Sequence, residues 1–245
     1  MKKVLITGAN KSIGFEIAKQ LLQKGYYVYI GSRTSENGLE AVKILKSAGL
    51  TNVEALQIDV TNEQSVNNAR MELGKKTEVL DVLINNAGVL GDMPQSALTA
   101  SIDNFKKVYE TNVYGVVRVT QIFLDLLKKS EQPRIVNVSS SQGSLTLASD
   151  SSNIYYNHKA AVYQSSKSAL NMYTIALAYE LRDLQFKVNL VDPGFTKSDF
   201  NGHRGTGTIE DAGKRIVKYA TIDNDGATGQ YFSEEMNPET GIIPW

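Results

Sequence analysis

The run Val4–Thr7 is short and β-branched, breaks at Gly8, and passes through Gly14 into the amphipathic stretch Ile13–Lys24. This strand–turn–helix unit constrains the fold more than any other feature, because the chain repeats its logic to the end. Tyr27–Gly31, Val53–Ile58, Val82–Asn85, Ile135–Val138 and Lys187–Val191 read as further strands, and Gly229–Ser233 as a weaker seventh. Their near-continuous apolar character fits strands covered on both faces, as in a parallel sheet. Between them, Glu36–Ala48, Glu63–Leu73, Asp103–Val113, Val116–Lys129 and Ala161–Leu184 carry apolar residues at helical spacing. Strands alternating with helices predict an α/β fold with a doubly wound parallel sheet of about seven strands and helices on both faces. No repeat or linker interrupts the pattern, so residues 1–245 are expected to form one domain.

Composition removes whole classes of function. Lys and Arg total 26, as do Asp and Glu, so a net charge of zero gives no electrostatic case for nucleic acid or anionic membranes. The absence of cysteine excludes disulfides, thiolate metal sites and a thiol nucleophile. The two histidines, His158 and His203, have no metal-binding spacing, and no metal is expected. The start lacks the apolar core of a signal peptide, and no run of about 18 apolar residues occurs. The expected location is the cytoplasm.

A glycine-bearing turn between a strand and a helix lets backbone approach a pyrophosphate, and the helix N-terminus supplies free N–H groups. Here the turn reads Thr7-Gly8-Ala9-Asn10-Lys11-Ser12-Ile13-Gly14. Further along come Asp59-Val60, Asn85-Asn86-Ala87-Gly88, Thr111-Asn112-Val113-Tyr114-Gly115, Ser139-Ser140-Ser141-Gln142-Gly143, Tyr163-Gln164-Ser165-Ser166-Lys167-Ser168-Ala169-Leu170 and Pro193-Gly194-Phe195-Thr196. Together, and in this order, they resemble the short-chain dehydrogenase/reductase family, with its TGxxxGxG, NNAG, NVxG and YxxxKxAL patterns. Ser12 departs from it by occupying the middle glycine position. The resemblance implies a Rossmann-type domain with Gly8, Asn10, Lys11, Ser12, Ile13 and Gly14 at the cofactor phosphates. It also implies Asp59, Val60, Asn86, Ala87 and Gly88 along the adenosine part, and Pro193, Gly194, Phe195 and Thr196 at the other end.

Tyr163 and Lys167 are four apart and share a helix face. An ammonium about 4 Å from a phenolate, at an effective dielectric near 20, favours ionisation by about 4 kcal/mol. That predicts a phenol pKa lowered by about three units from its usual value near 10, before the cost of burial is counted. Tyr163 is thus the expected proton donor in reduction and acceptor in oxidation. A serine hydroxyl would stabilise the developing oxyanion. Alignment on Gly143 selects Ser140, with Ser139 and Ser141 as alternatives. By the resemblance, Asn112 bends its helix and holds a water that links the lysine to solvent. Tyr155 and Lys159 form a second match to the bare Tyr-x-x-x-Lys spacing but lack the Ser-Ala-Leu sequel.

The second strand ends Ser32-Arg33-Thr34, with no carboxylate to bind ribose hydroxyls. Arg33 can grip a 2′-phosphate in bidentate fashion and Lys11 can add a point charge, which favours NADP(H). The alternative has Arg33 stacked on adenine and Lys11 solvated. The expected reaction is NADPH-dependent reduction of a small ketone or aldehyde to the alcohol, reversibly. Reduction of a β-ketoacyl group on an acidic carrier protein is an alternative, with only Lys106, Lys107, Arg204 and Lys128-Lys129 as scattered basic candidates. A non-catalytic NADP(H) sensor is a third reading, opposed by the intact set of Asn112, Ser140, Tyr163 and Lys167. Between Ser140 and Tyr163 lie 22 residues, more than the family commonly has. That insertion is expected to shape the pocket and weaken tetramer formation, leaving a monomer or a smaller homo-oligomer. Asp199–Asp211 is expected to be a mobile lid or a disordered loop, and Trp245 to seal the sheet edge.

Overall fold

The computed structural model describes residues 1–245 and contains one seven-stranded sheet, all parallel, in the order β3-β2-β1-β4-β5-β6-β7. The strands are β1 (Lys3–Ile6), β2 (Tyr27–Ser32), β3 (Val53–Gln57), β4 (Val82–Asn85), β5 (Arg134–Val138), β6 (Lys187–Val191) and β7 (Tyr231–Phe232). Helices α1 (Ser12–Gln23), α2 (Ser35–Ser47), α3 (Glu63–Lys76), α4 (Ile102–Tyr109), α5 (Gly115–Leu127), α6 (Leu145–Ser149), α7 (Ala161–Glu180) and α8 (Ile209–Ala220) complete a single α/β domain. No helix is long and apolar enough to cross a membrane.

Alternation along each strand feeds two separate cores, although the strands read as continuous apolar runs. Val4, Ile6, Val28 and Ile30 face a cluster that includes Ile17 and Leu21 of α1 and Ile216 of α8. Leu5, Tyr29, Leu83 and Ile135 point the other way, onto Leu73 of α3, Phe123 of α5 and Leu177 of α7. Both faces are therefore covered, and in sheets of this kind ligands bind at the carboxyl ends of the strands.

The expected break between Val113 and Val116 takes a different form. Ile102–Leu127 is continuous, with a π-turn at Glu110–Tyr114 that accommodates one extra residue per turn. Asn112 sits in that turn, fully buried, with its amide turned toward Val89. Gly115 follows because a Cβ there would come within 2.9 Å of Val60 Cγ2.

Helix α8 went unread in the sequence and replaces the last part of the expected loop Asp199–Asp211. Thr208 caps it by accepting from the N–H of Asp211 at 3.0 Å, so the loop ends before Ile209. Its Gly213, which weakens a helical reading, is needed where α8 crosses α1: a Cβ would meet Gln20 Nε2 at 2.7 Å. Helix α7 stops at Glu180, four residues short of the expected Leu184, in a turn whose Leu184 N–H donates to Leu181 O at 3.0 Å.

Ser12 opens α1 at φ +54°, in the left-handed region that glycine occupies without penalty. Replacing Ser12 by glycine relieves that strain, and Ser12→Gly is expected to raise unfolding stability by about 1 kcal/mol in urea titrations. A loss of stability would show that the serine side chain contributes more than its backbone strain costs.

Candidate active site

The loops at the carboxyl ends of β1, β4, β5 and β6 are tied together by side chains at the strand ends. Thr7 Oγ1 accepts from the N–H groups of Asn86 (3.0 Å) and Ala87 (3.1 Å). Asn86 returns two bonds, from Nδ2 to the carbonyls of Thr7 (2.9 Å) and Gly8 (3.1 Å). The Asn86 amide protons are thus used within the protein, fixing the glycine-bearing turn. Gly8 has φ +64° and its absent Cβ would lie 3.0 Å from Ala87 Cα, while a Cβ on Gly14 would strike Gly8 O at 2.5 Å.

This turn delivers an open helix end. Helices α2, α3, α4 and α8 are each capped by a side chain, from Thr34, Asn62, Ser101 and Thr208. Helix α1 has no such cap and no acid in its first turn. Its N–H groups and dipole end are left for an anion, which is the chemistry a dinucleotide pyrophosphate requires. Asn10 and Ile13 flank the opening, both half-buried. At the end of β2 the Arg33 side chain is exposed and makes no ion pair, whereas Lys11 pairs with Asp199 at 3.0 Å. Asp59 accepts from Thr61 N at 3.0 Å and Thr61 Oγ1 at 2.8 Å, with buried Val60 beside it. The residues present therefore fit a phosphorylated dinucleotide along this edge.

Tyr163 and Lys167 lie on one face of α7, both buried. Lys167 Nζ donates to Val138 O at 2.9 Å and sits 5.8 Å from the centroid of the Tyr163 ring. Gly88 lies beside them, where a Cβ would be 3.4 Å from Asn112 Oδ1 and 3.8 Å from Lys167 Nζ, ordinary contact distances. Asn112 accepts from Val89 N (2.8 Å) and donates to Val89 O (2.9 Å) and Ser166 Oγ (3.1 Å), joining the Gly88 loop to α7.

Among the three serines, Ser139 donates to Asn171 Oδ1 at 2.7 Å and Ser141 is buried. Ser140 is half-buried; its Oγ accepts from Gln142 N at 3.4 Å and is the hydroxyl of the three that favours ionisation of Tyr163. The expectation of a phenol made more acidic by lysine is corrected here. Burial pushes the Tyr163 hydroxyl well above its usual range, with only partial opposition from the Ser140 hydroxyl. The same burial pushes Lys167 down to about 8, against the charge of Asp192. Burial thus favours the protonated phenol.

Tyr155 and Lys159, the second Tyr-x-x-x-Lys match, lie in turns before α7 and not on a helix. The Tyr155 hydroxyl donates to Glu235 at 3.2 Å, and Lys159 stands over the ring of Tyr156 at 4.3 Å. The insertion holds α6 and these turns at the mouth of the site, where Tyr155 meets Phe195 edge-on at 6.3 Å. Pro193 O accepts from Arg215 at 2.7 Å, Gly194 takes φ +81°, Phe195 N donates to Glu235 at 2.9 Å, and Thr196 is buried.

Asp199–Asn201 forms a short 3₁₀ turn, and Phe200 rests against Tyr163 with ring centroids 5.6 Å apart. Main-chain bonds from Thr206 (2.8 Å) and Gly207 (2.9 Å) to Phe195 O give this segment a defined path, in contrast to the disordered alternative. His203 is exposed and pairs with Asp199 at 3.1 Å.

Three positioning contacts were invisible in the sequence. Gln95, buried, accepts from Tyr163 N at 2.8 Å and donates to Leu90 O at 2.7 Å. The Tyr231 hydroxyl donates to Ser140 O; the Trp245 expected at the sheet edge stacks on the same ring at 5.5 Å. Glu235 holds both Phe195 and Tyr155. Each joins residues more than 35 positions apart, and no local pattern marks such pairs.

Comparison with known proteins agrees with this geometry. The family described as short chain dehydrogenase matches residues 2–208. A short-chain dehydrogenase of Penicillium roqueforti is 34% identical over 245 residues, covering 98% of this chain and 95% of its own length. Salutaridine reductase of Papaver bracteatum is 31% identical, covering 95% and 94%. Among solved structures, NADPH-bound carbonyl reductase from chicken fatty liver superposes with a TM-score of 0.84 at 25% identity, covering 100% of this chain and 99% of that one. The chain is a member of the short-chain dehydrogenase/reductase family and an oxidoreductase of that family.

Proposed function

We propose that this enzyme uses NADPH to reduce a ketone or aldehyde on a small molecule to the alcohol, reversibly, with Tyr163 as proton donor. The observation that carries the reading is the buried Tyr163 on the same helix face as the buried Lys167, with the Ser140 hydroxyl opposing the effect of burial on the phenol. NADPH supplies a hydride when bound. The uncapped N-terminus of α1, with Gly8, Asn10, Ser12, Ile13 and Gly14, would hold its pyrophosphate. Arg33 and Lys11 would take the 2′-phosphate, and Asp59, Val60, Asn86, Ala87 and Gly88 would line the adenosine side. Pro193, Gly194, Phe195 and Thr196 would line the nicotinamide side.

Ser140 and Tyr163 both donate to the substrate carbonyl oxygen, and their bonds strengthen as negative charge develops there. Tyr163 then gives its proton to that oxygen, so that a C–H and an O–H bond replace the carbonyl π bond. The Lys167 ammonium stabilises the phenolate left behind, and Asn112 keeps the Gly88 loop and α7 at the spacing this needs. In oxidation the proton returns to Tyr163.

Support for the substrate class comes from the relatives, which include salutaridine reductase and (+)-neomenthol dehydrogenase. Solved neighbours bound to NADPH or NADP support the cofactor. A carrier protein finds less here: Lys106 and Lys107 each have an acid beside them, Asp103 and Asp92, so this surface carries no net positive charge for an acidic partner.

Purified protein is expected to oxidise NADPH in the presence of some of a panel of ketones and aldehydes. Tyr163→Phe should lower kcat by about 10²–10⁴-fold while leaving NADPH affinity within about twofold. Equal turnover by the variant would remove Tyr163 from the proton step. For the cofactor, Arg33→Ala should weaken NADPH binding about 10- to 100-fold, as loss of a charged bidentate contact does, with NADH binding unchanged. Fluorescence titration of both cofactors checks this, and an equal loss for both would show that Arg33 does not read the phosphate.

A further inference from the structure

Asp192 follows β6 with its side chain inside the protein, only 3% exposed. Its carboxylate accepts from Ser233 Oγ at 2.7 Å and from Gly194 N at 3.0 Å. Burial raises this carboxyl above its ordinary range, and the neutral donors oppose that without supplying an opposing charge, so its ionised form calls for a cation nearby. The sheet register shows where such a charge lies. Val138 pairs with Val191, and Val138 O is the atom that holds Lys167 Nζ. Asp192 is therefore one residue beyond the partner of the lysine's own acceptor, on a neighbouring strand about 4.8 Å away.

The groups that face Asp192 come from every element around it. Helix α7 contributes Lys167 and Tyr163, β7 contributes Tyr231, the turn after β7 contributes Glu235, and the insertion contributes Tyr155. Arg215 of α8 reaches the adjoining Pro193 O. Lys167 is the buried cation of this set, and no carboxylate forms a direct ion pair with it.

We propose that Asp192 is a positioning residue for proton transfer: it is the counter-charge of the Lys167 ammonium and keeps that lysine cationic at the pH of turnover. Its hydrogen bonds also join the Pro193–Thr196 loop to Ser233 after β7, so the same carboxyl sets geometry and charge. The sign follows from the charge. A negative Asp192 raises Lys167 against the lowering effect of burial, and raises Tyr163 further. Removing it lets both lose their protons at lower pH. The kinetic consequence rests on the reductase reading above; the effect on Lys167 does not.

The test is a pH titration of Lys167 by NMR in protein labelled at the lysine Cε and Nζ, with Lys167→Arg identifying the resonance. Wild type, Asp192→Asn, Asp192→Ser and Ser233→Ala are compared, without cofactor and by pH–rate profiles. Both Asp192 variants should move the Lys167 titration to lower pH by about one unit, the scale of one charge acting at intermediate range. The alkaline limb of carbonyl reduction should move with it. Ser233→Ala removes a donor that favours the ionised carboxyl and should shift the titration in the same direction, by no more than either Asp192 variant. Two neutral residues of different shape guard against one failing to fold. An unmoved Lys167 titration with lower kcat at every pH would overturn the proposal and leave Asp192 as a loop tie. A shift in Ser233→Ala larger than in either Asp192 variant would overturn it too. Should wild type reduce no carbonyl while Lys167 still shifts in the Asp192 variants, the coupling stands and the reductase reading falls.

Discussion

The Lys167 ammonium is buried with no carboxylate in contact, and much of the surrounding architecture answers to that. A cation out of water needs acceptors and space. Val138 O supplies an acceptor at the end of β5, where the strand has run out of ladder partners on that side. Space beside its stem comes from a glycine: a Cβ on Gly143 would press to 2.8 Å from Lys167 Cβ. Asn112 holds the Gly88 loop from behind through Val89, and the π-turn exists where that amide is drawn inward. Gly143, which looks like loop punctuation in the sequence, is in three dimensions the clearance that lets α7 bring the lysine stem against the end of β5.

The same burial explains why simple pair electrostatics misjudged the tyrosine. A lysine four residues away does favour phenolate, and in a solvated helix that effect would dominate. Inside the protein both groups lose hydration, so the phenol is driven up and the amine down. The two shifts bring proton affinities that differ little in water into a regime set by burial and by the remaining charge, Asp192. For a residue that must arrive protonated and give its proton only as the oxyanion forms, a raised pKa is compatible with donation in the reductive direction.

Most of the sheet was legible because strand character is a local property. Val82–Asn85 and Lys187–Val191 were read to the residue, and the other five to within two residues at either end. Helix α8 was lost because Gly202, Gly205, Gly207 and Gly213 resemble a loop, although only the last lies in the helix and it is there for the α1 crossing. Gly205 has its own reason, since a Cβ would fall 2.1 Å from the Thr196 carbonyl carbon. The site was legible where motifs are contiguous, as at Tyr163 and Lys167. Gln95 beneath the Tyr163 amide, Tyr231 beneath Ser140 and Glu235 beneath Phe195 were not, because each depends on which loops the sheet brings together. Ser12 shows the intermediate case: its departure from glycine was visible, but the cost became definite only with its positive φ.

Lys11 stands where two demands on the glycine-bearing turn meet. It pairs with Asp199 across the mouth of the site, while one residue further Phe200 lies against Tyr163. The ion pair is exposed on both sides, 66% and 44%, so solvent and salt leave it little net strength. The aromatic contact is the firmer of the two, because Phe200 covers the buried Tyr163 ring with apolar surface. The segment is thus held over the tyrosine chiefly by its own main-chain bonds to Phe195 and by Phe200. Lys11 can therefore exchange Asp199 for another anion at the α1 N-terminus at small energetic cost, without unseating the segment. An exposed pair beside an uncapped helix end lets the turn remain receptive to phosphate while the cover over Tyr163 keeps its path.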